Sequence, residues 1–135
     1  MEIVIRELKT FDMEEILNLY DSVGWTNYTE RPDMLKQAFH HSLLVLGAWD
    51  GEKLTGIIRV VGDGASIIFI QDLLVLPEYQ RHGIGSQLCR EVLKRFSSVY
   101  QIELLTENTS KTNAFYQSLG FKRVDDLGCC AFIRT

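Results

Sequence analysis

Gln80-Arg81-His82-Gly83-Ile84-Gly85 is the stretch whose residue types and spacing most clearly permit chemistry. It lies between an apolar run closed by Pro77 and an amphipathic pattern that starts at Ile84. The first N–H groups of a helix lack internal partners and sit at the positive end of its dipole. Glycine lets the main chain approach an anion with no Cβ in the way. The segment therefore predicts a pyrophosphate resting on backbone amides near residues 82–86. The same residues also fit a strand-to-helix connection with no ligand. A dinucleotide loop needs a third glycine where Leu88 stands. A P-loop needs Gly-Lys-Ser/Thr, and that tripeptide does not occur.

The elements that must hold this loop follow from periodicity. Residues 3–5 start a strand. Asp12 with Glu15 forms a capping box, and Met13, Ile16, Leu17, Tyr20 and Val23 recur at helical spacing until Gly24. Residues 25–31 read as irregular. Pro32 fits the first turn of a second helix, with Leu35, Ala38 and Phe39 apolar and His40 and His41 in its last turn. Residues 43–49 and 54–61 form a hairpin about Asp50-Gly51, and the chain turns again at Gly62-Asp63-Gly64. A long strand covers residues 65–76, the helix after the loop covers 84–96, and another strand covers 101–106. Asn108 or Thr109 caps a short helix ended by Gly120, and residues 121–124 and 129–133 are expected to close the sheet. Hairpins make the early strands antiparallel, while the crossover from 65 to 106 makes its two strands parallel. The fold class is a mixed α/β sheet.

Bulk properties narrow the function. A chain of 135 residues predicts one domain, and 46% hydrophobic content supports a sizeable core. The net charge of −4 disfavours nucleic acid as a partner. No apolar run approaches the ~20 residues that span a membrane, and residues 1–6 read as a strand rather than a signal peptide. Cys89, Cys129 and Cys130 are odd in number and lack ligand spacing, so three reduced thiols, a cytoplasmic location and no metal are expected.

Two motifs in order sharpen the reading. Val75-x-Pro77-x-x-Gln80-x-x-Gly83-x-Gly85 resembles the acetyl-CoA signature of the GCN5-related N-acetyltransferases (GNAT). Asn113-Ala114-Phe115-Tyr116-Gln117-Ser118-Leu119-Gly120-Phe121 resembles that superfamily's later motif. The resemblance implies a GNAT fold of six or seven strands with about four helices. The sheet would be splayed beside the signature helix. It implies acetyl-CoA as co-substrate and direct attack by a primary amine, without a covalent enzyme intermediate. A small-molecule amine is the expected acceptor and a peptide amine the second. A non-catalytic CoA-binding module and a transferase of longer acyl groups are the rivals, and a homodimer is an open option.

The resemblance also distributes roles. Main-chain groups of Leu73, Leu74 and Val75 pair with the pantetheine arm, and an N–H near Leu74 or Val75 holds the oxyanion of a tetrahedral intermediate. Arg81, His82, Gly83, Ile84, Gly85 and Ser86 surround the pyrophosphate, with Arg81 and His82 either adding positive charge or facing solvent, and Gln80 belongs to the same cofactor site. Asn108 and Asn113 hydrogen-bond the arm, or cap a helix and face solvent. Phe115 walls the groove or joins the core. Tyr116 donates a proton to the leaving thiolate, as a phenol with an ordinary pKa of ~10 can at neutral pH, or else packs half-buried on the sheet.

Acceptor and base are less constrained. Trp25, Tyr28 and Arg31 suggest an apolar or cationic acceptor, or else a lid over the sheet. Arg59 faces either solvent or the cleft. Some family members carry a Glu in the strand before the signature, where this chain has Ile68-Phe69-Ile70. Asp72 is the nearest carboxylate and Glu107 the next, with Asp72 equally readable as a locally bonded strand residue. The expectation is a water-mediated proton path.

Overall fold

The computed structural model describes residues 1–135, which form two compact units, Met1–Leu105 and Thr106–Thr135. The first unit holds β1 (Ile3–Glu7), α1 (Met13–Ser22), α2 (Thr26–Thr29), α3 (Pro32–His40), β2 (Leu44–Asp50), β3 (Lys53–Gly62), β4 (Ile67–Val75), α4 (Ile84–Arg95) and β5 (Gln101–Leu104). A 3-10 turn at Pro77–Tyr79 leads from β4 towards α4. The second unit holds α5 (Ser110–Ser118) and a 3-10 turn at Val124–Leu127.

Local chemistry sets the helix boundaries. Asp12 caps α1 by accepting the Glu15 N–H at 3.3 Å, and Pro32 occupies the first turn of α3. Residues 25–31, expected to be irregular, contain the single turn α2. The Trp25 carbonyl nucleates it by accepting the N–H groups of Tyr28 at 3.1 Å and Thr29 at 3.4 Å.

The sheet runs β1-β2-β3-β4-β5, antiparallel as far as β4 and parallel between β4 and β5, as the hairpins and crossover predict. On one face α1 and α3 bring Ile16, Leu19, Tyr20, Leu35 and Phe39 onto Val45, Ile57 and Leu74. Successive strand residues point to opposite faces. Ile58 and Gly56 therefore face the other layer, where α4 buries Ile84, Leu88, Cys89 and Val92.

Five strands form rather than six or seven. Residues 121–124 and 129–133, expected as closing strands, carry no ladder. Instead the Arg123 guanidinium grips Asp125 with two bonds of 3.0 and 2.9 Å, and Gly128 at φ +76° ends a 3-10 turn. Strand propensity yields a strand only where a neighbouring edge pairs with it, and local side-chain bonds favoured a turn here.

Candidate active site

The loop after β4 has the geometry of an anion cradle. Gly83 is the N-cap of α4 at φ +78°, and no side chain caps that helix, whereas Asp12 caps α1 and Thr109 caps α5. Open space surrounds the position a Cβ would take on Gly83. Arg81 has φ +67° and is the one non-glycine residue with positive φ. That conformation costs about 1–3 kcal/mol and concentrates at ligand-binding sites. Arg81, His82 and Gly83 are exposed, and Gly85 and Ser86 half-buried, so the amides that start α4 are accessible.

Several contacts hold the cradle in place. Gln80 Nε2 donates to the Val75 carbonyl at 3.0 Å, folding the loop back onto the end of β4. The Tyr79 hydroxyl donates to Asp50 at 2.7 Å, tying the 3-10 turn to the β2–β3 hairpin. Ile84, the first residue of α4, is buried against the sheet beside Gly56.

β4 offers an open edge. β5 pairs with it only from Ile67↔Gln101 to Ile70↔Leu104, so Gln71 to Val75 lack a strand partner on that side. A bulge marks the divide. Arg59 pairs with Asp72 and Val60 with Ile70, which leaves Gln71 over and exposed. The Leu76 N–H donates to the Thr55 carbonyl of β3 at 2.8 Å. Main-chain direction repeats every second residue, so Leu74 also turns towards β3 while Leu73 and Val75 turn towards the open edge.

Asp72 and Arg59 lie within the first unit's core, 3% and 5% exposed. Arg59 Nε donates to Asp72 Oδ2 at 2.8 Å, the Tyr20 hydroxyl donates to the same oxygen at 2.7 Å, and Tyr28 donates to Oδ1 at 3.2 Å. Arg59 also donates to the Ser42 hydroxyl at 3.4 Å. Burial opposes the Arg59 charge, but Asp72 and Tyr20 outweigh it and hold the guanidinium above its ordinary pKa. Burial, reinforced by the Asp72 charge, pushes the Tyr20 phenol far up. Each buried polar side-chain atom has a partner.

The rings of Trp25 and Tyr28 pack beside Tyr20, with centroids 5.8 and 5.2 Å from it, and both are half-buried on the core. Arg31 is exposed at the N-cap of α3. Tyr20, at an apolar-face position of α1 by its spacing, is the further partner of the Arg59–Asp72 pair. Its signal was indirect: Arg59 and Asp72, opposite charges inside apolar strands, imply a buried pair that needs further donors.

In the second unit, Thr109 rather than Asn108 caps α5, accepting the Thr112 N–H at 3.2 Å. Asn108 Oδ1 accepts from Asn113 Nδ2 at 3.1 Å and from Arg123 at 2.9 Å. Arg123, which no sequence motif marks, also donates to Asn113 Oδ1 at 3.4 Å and so orients both asparagines. Tyr116 is half-buried, its ring edge-on to Phe115 at 4.9 Å and Phe121 at 5.8 Å. Glu107 is exposed, and its carbonyl accepts from the Thr112 hydroxyl at 2.5 Å.

Comparison with known proteins places this arrangement. The model of the acetyltransferase (GNAT) domain matches residues 41–123. A GNAT-family acetyltransferase from Streptococcus pneumoniae TIGR4 is 46% identical, with 99% of this chain and 98% of that one covered, at a TM-score of 0.91. An uncharacterised ycf52-like N-acetyltransferase of Prochlorococcus marinus is 30% identical over 96% of this chain and 73% of its own length. The PaiA N-acetyltransferase of Thermoplasma acidophilum, solved in complex with coenzyme A, is 25% identical. That alignment covers 90% of this chain and 91% of that one, at a TM-score of 0.74. A family match over more than half of the chain, on a mixed sheet with an uncapped helix after a bulged strand, leads to one assignment: the chain belongs to the GNAT family and is an N-acetyltransferase.

Proposed function

We propose that this protein transfers the acetyl group of acetyl-CoA to a primary amine, a small-molecule amine in preference to a peptide amine. The observation that carries the reading is the uncapped α4 N-terminus behind the strained Arg81 and the open Gly83, at the end of a strand with a free edge. The donor set fits coenzyme A: amides from Gly83 to Ser86 suit the pyrophosphate, aided by Arg81 and His82. The main chain of Leu73 and Val75 suits the amides of the pantetheine arm, which would add to β4 as a strand does. Asn108 and Asn113 are further partners for the arm, and Phe115 is a wall of its groove. The family match, over residues 41–123, takes in parts of both compact units, which favours one functional domain.

The thioester supplies an activated acyl group when bound. Of the two expected oxyanion donors, Val75 is preferred, because the ladder turns the Leu74 N–H towards β3. One such donor contributes about 10²–10³-fold to the rate. The amine nitrogen forms a bond to the acyl carbon, the carbon–sulfur bond breaks, and Tyr116 gives its phenolic proton to the sulfur and regains one from water. Both oxygens of Asp72 are engaged by Arg59, Tyr20 and Tyr28, which favours a water chain as the route for the amine proton. The half-buried Trp25 and Tyr28, with the exposed Arg31, form the surface offered to the acceptor. A cytoplasmic setting fits the three free thiols.

A CoA-release assay against a panel of small amines and peptides tests the reading. Turnover with one class of small amine supports it. Acetyl-CoA binding without release across the panel would make the protein a CoA-binding module instead.

A further inference from the structure

Arg59 and Asp72 form the last register pair before the β4 bulge. From Gly56↔Val75 to Arg59↔Asp72 the pairing runs residue for residue, and at the next step Val60 takes Ile70 and Gln71 is extruded. Apolar pattern alone specifies this register weakly. Leu73, Leu74, Val75 and Leu76 are all apolar, and both faces of β4 are covered by helices. A slip by one residue would exchange one apolar set for another. The same slip would turn the Leu74 N–H to the open edge and the Val75 N–H into the ladder. It would also carry Asp72 to the opposite face, away from Arg59, Tyr20 and Tyr28, and leave a buried charge unpaired.

We propose that the Arg59–Asp72 pair, clamped by Tyr20 and Tyr28, fixes which β4 residue is extruded and thereby which main-chain groups face the acetyl-CoA edge. Both are positioning residues that act through the backbone of Leu73 and Val75. A buried ion pair is poor evidence for stability, since apolar residues of similar volume often serve as well, but buried polar groups are attested as register devices. The inference rests on the acetyl-CoA reading for its functional consequence and on the ladder alone for its structural one.

The test uses Arg59→Met/Asp72→Leu, which replaces the pair with apolar side chains, beside the milder Asp72→Asn. Acetyl-CoA affinity, kcat, KM and thermal midpoint are measured for each, with amide exchange at Leu73, Leu74 and Val75. In the wild type, Leu73 and Val75 exchange fast and Leu74 slowly. In the double variant that contrast is lost, the thermal midpoint stays near wild type, and kcat falls by about 10²-fold, the usual cost of a misplaced oxyanion donor. Asp72→Asn, which keeps the shape of the network, retains part of the contrast. Wild-type constants in a folded double variant overturn the proposal. So does failure of both variants to fold, which would make the pair a determinant of the whole core. A wild type that binds no acetyl-CoA but keeps the exchange pattern overturns the acetyltransferase reading and leaves the register assignment standing.

Discussion

Gly56 on β3 and Ile84 at the start of α4 touch through a missing side chain: a Cβ on Gly56 would lie 3.5 Å from Ile84 Cγ2, 3.2 Å from Val75 Cγ2 and 3.0 Å from the Leu74 carbonyl. The glycine lets α4 start close against the sheet. Gly56→Val should force the two apart at a cost of about 1–3 kcal/mol, the usual penalty of overpacking. Its larger effect should fall on ligand binding, because the groups it crowds most are the Leu74 carbonyl and Val75, on the strand with the open edge. Calorimetry is expected to show weaker acetyl-CoA binding in a protein that remains folded by circular dichroism. Wild-type affinity would mean that the helix start tolerates the shift.

Much of this scaffold is legible in the sequence because its signals are local. The Asp12 cap, Pro32 at a helix start and the glycines beside α4 each act within a few residues. The edges of the ladder are different. Tyr20 reaches Asp72 across 52 positions of sequence, and no periodicity in α1 separates a buried phenol with a partner from one more core residue. The bulge at Gln71 is equally hidden, since the apolar run from Ile67 to Leu76 reads as one continuous strand until β3 assigns its register. At the C-terminal end, residues 129–133 have strand composition, yet composition supplies no pairing partner.

Cys89 should behave unlike the other two thiols. It is buried on α4, and burial pushes its pKa up to about 12, whereas Cys129 and Cys130 are exposed. At pH 8.5 iodoacetamide should modify two thiols per native chain and the third only after denaturation, as mass spectrometry of peptides would show. The shift also has a sign in stability. The folded value lies above the unfolded value of ~8.5, so the contribution is complete below that pH and is lost as pH rises towards about 12. Cys89→Ala should flatten this alkaline loss. Rapid labelling of native Cys89 would contradict the packing of α4.

Tyr116 is placed edge-on between Phe115 and Phe121, and in the proposed mechanism its hydroxyl is the proton donor. Tyr116→Phe keeps both ring contacts. It should lower kcat by about 10²-fold or more, the usual contribution of a general acid, with little change in KM for acetyl-CoA. Steady-state kinetics with a reactive amine measures both. An unchanged kcat would remove Tyr116 from the mechanism and leave it as a packing residue.

The central claim is that the α4 N-terminus binds the pyrophosphate of acetyl-CoA, and titration calorimetry of Gly83→Glu against wild type tests it most directly. Glutamate there would bring a strained positive φ, a side chain in the open space and a negative charge among the amides. The wild type should bind acetyl-CoA with one site per chain, and Gly83→Glu should show no measurable heat while its circular dichroism stays unchanged. Equal binding by the two proteins, or none by the wild type, would contradict the account.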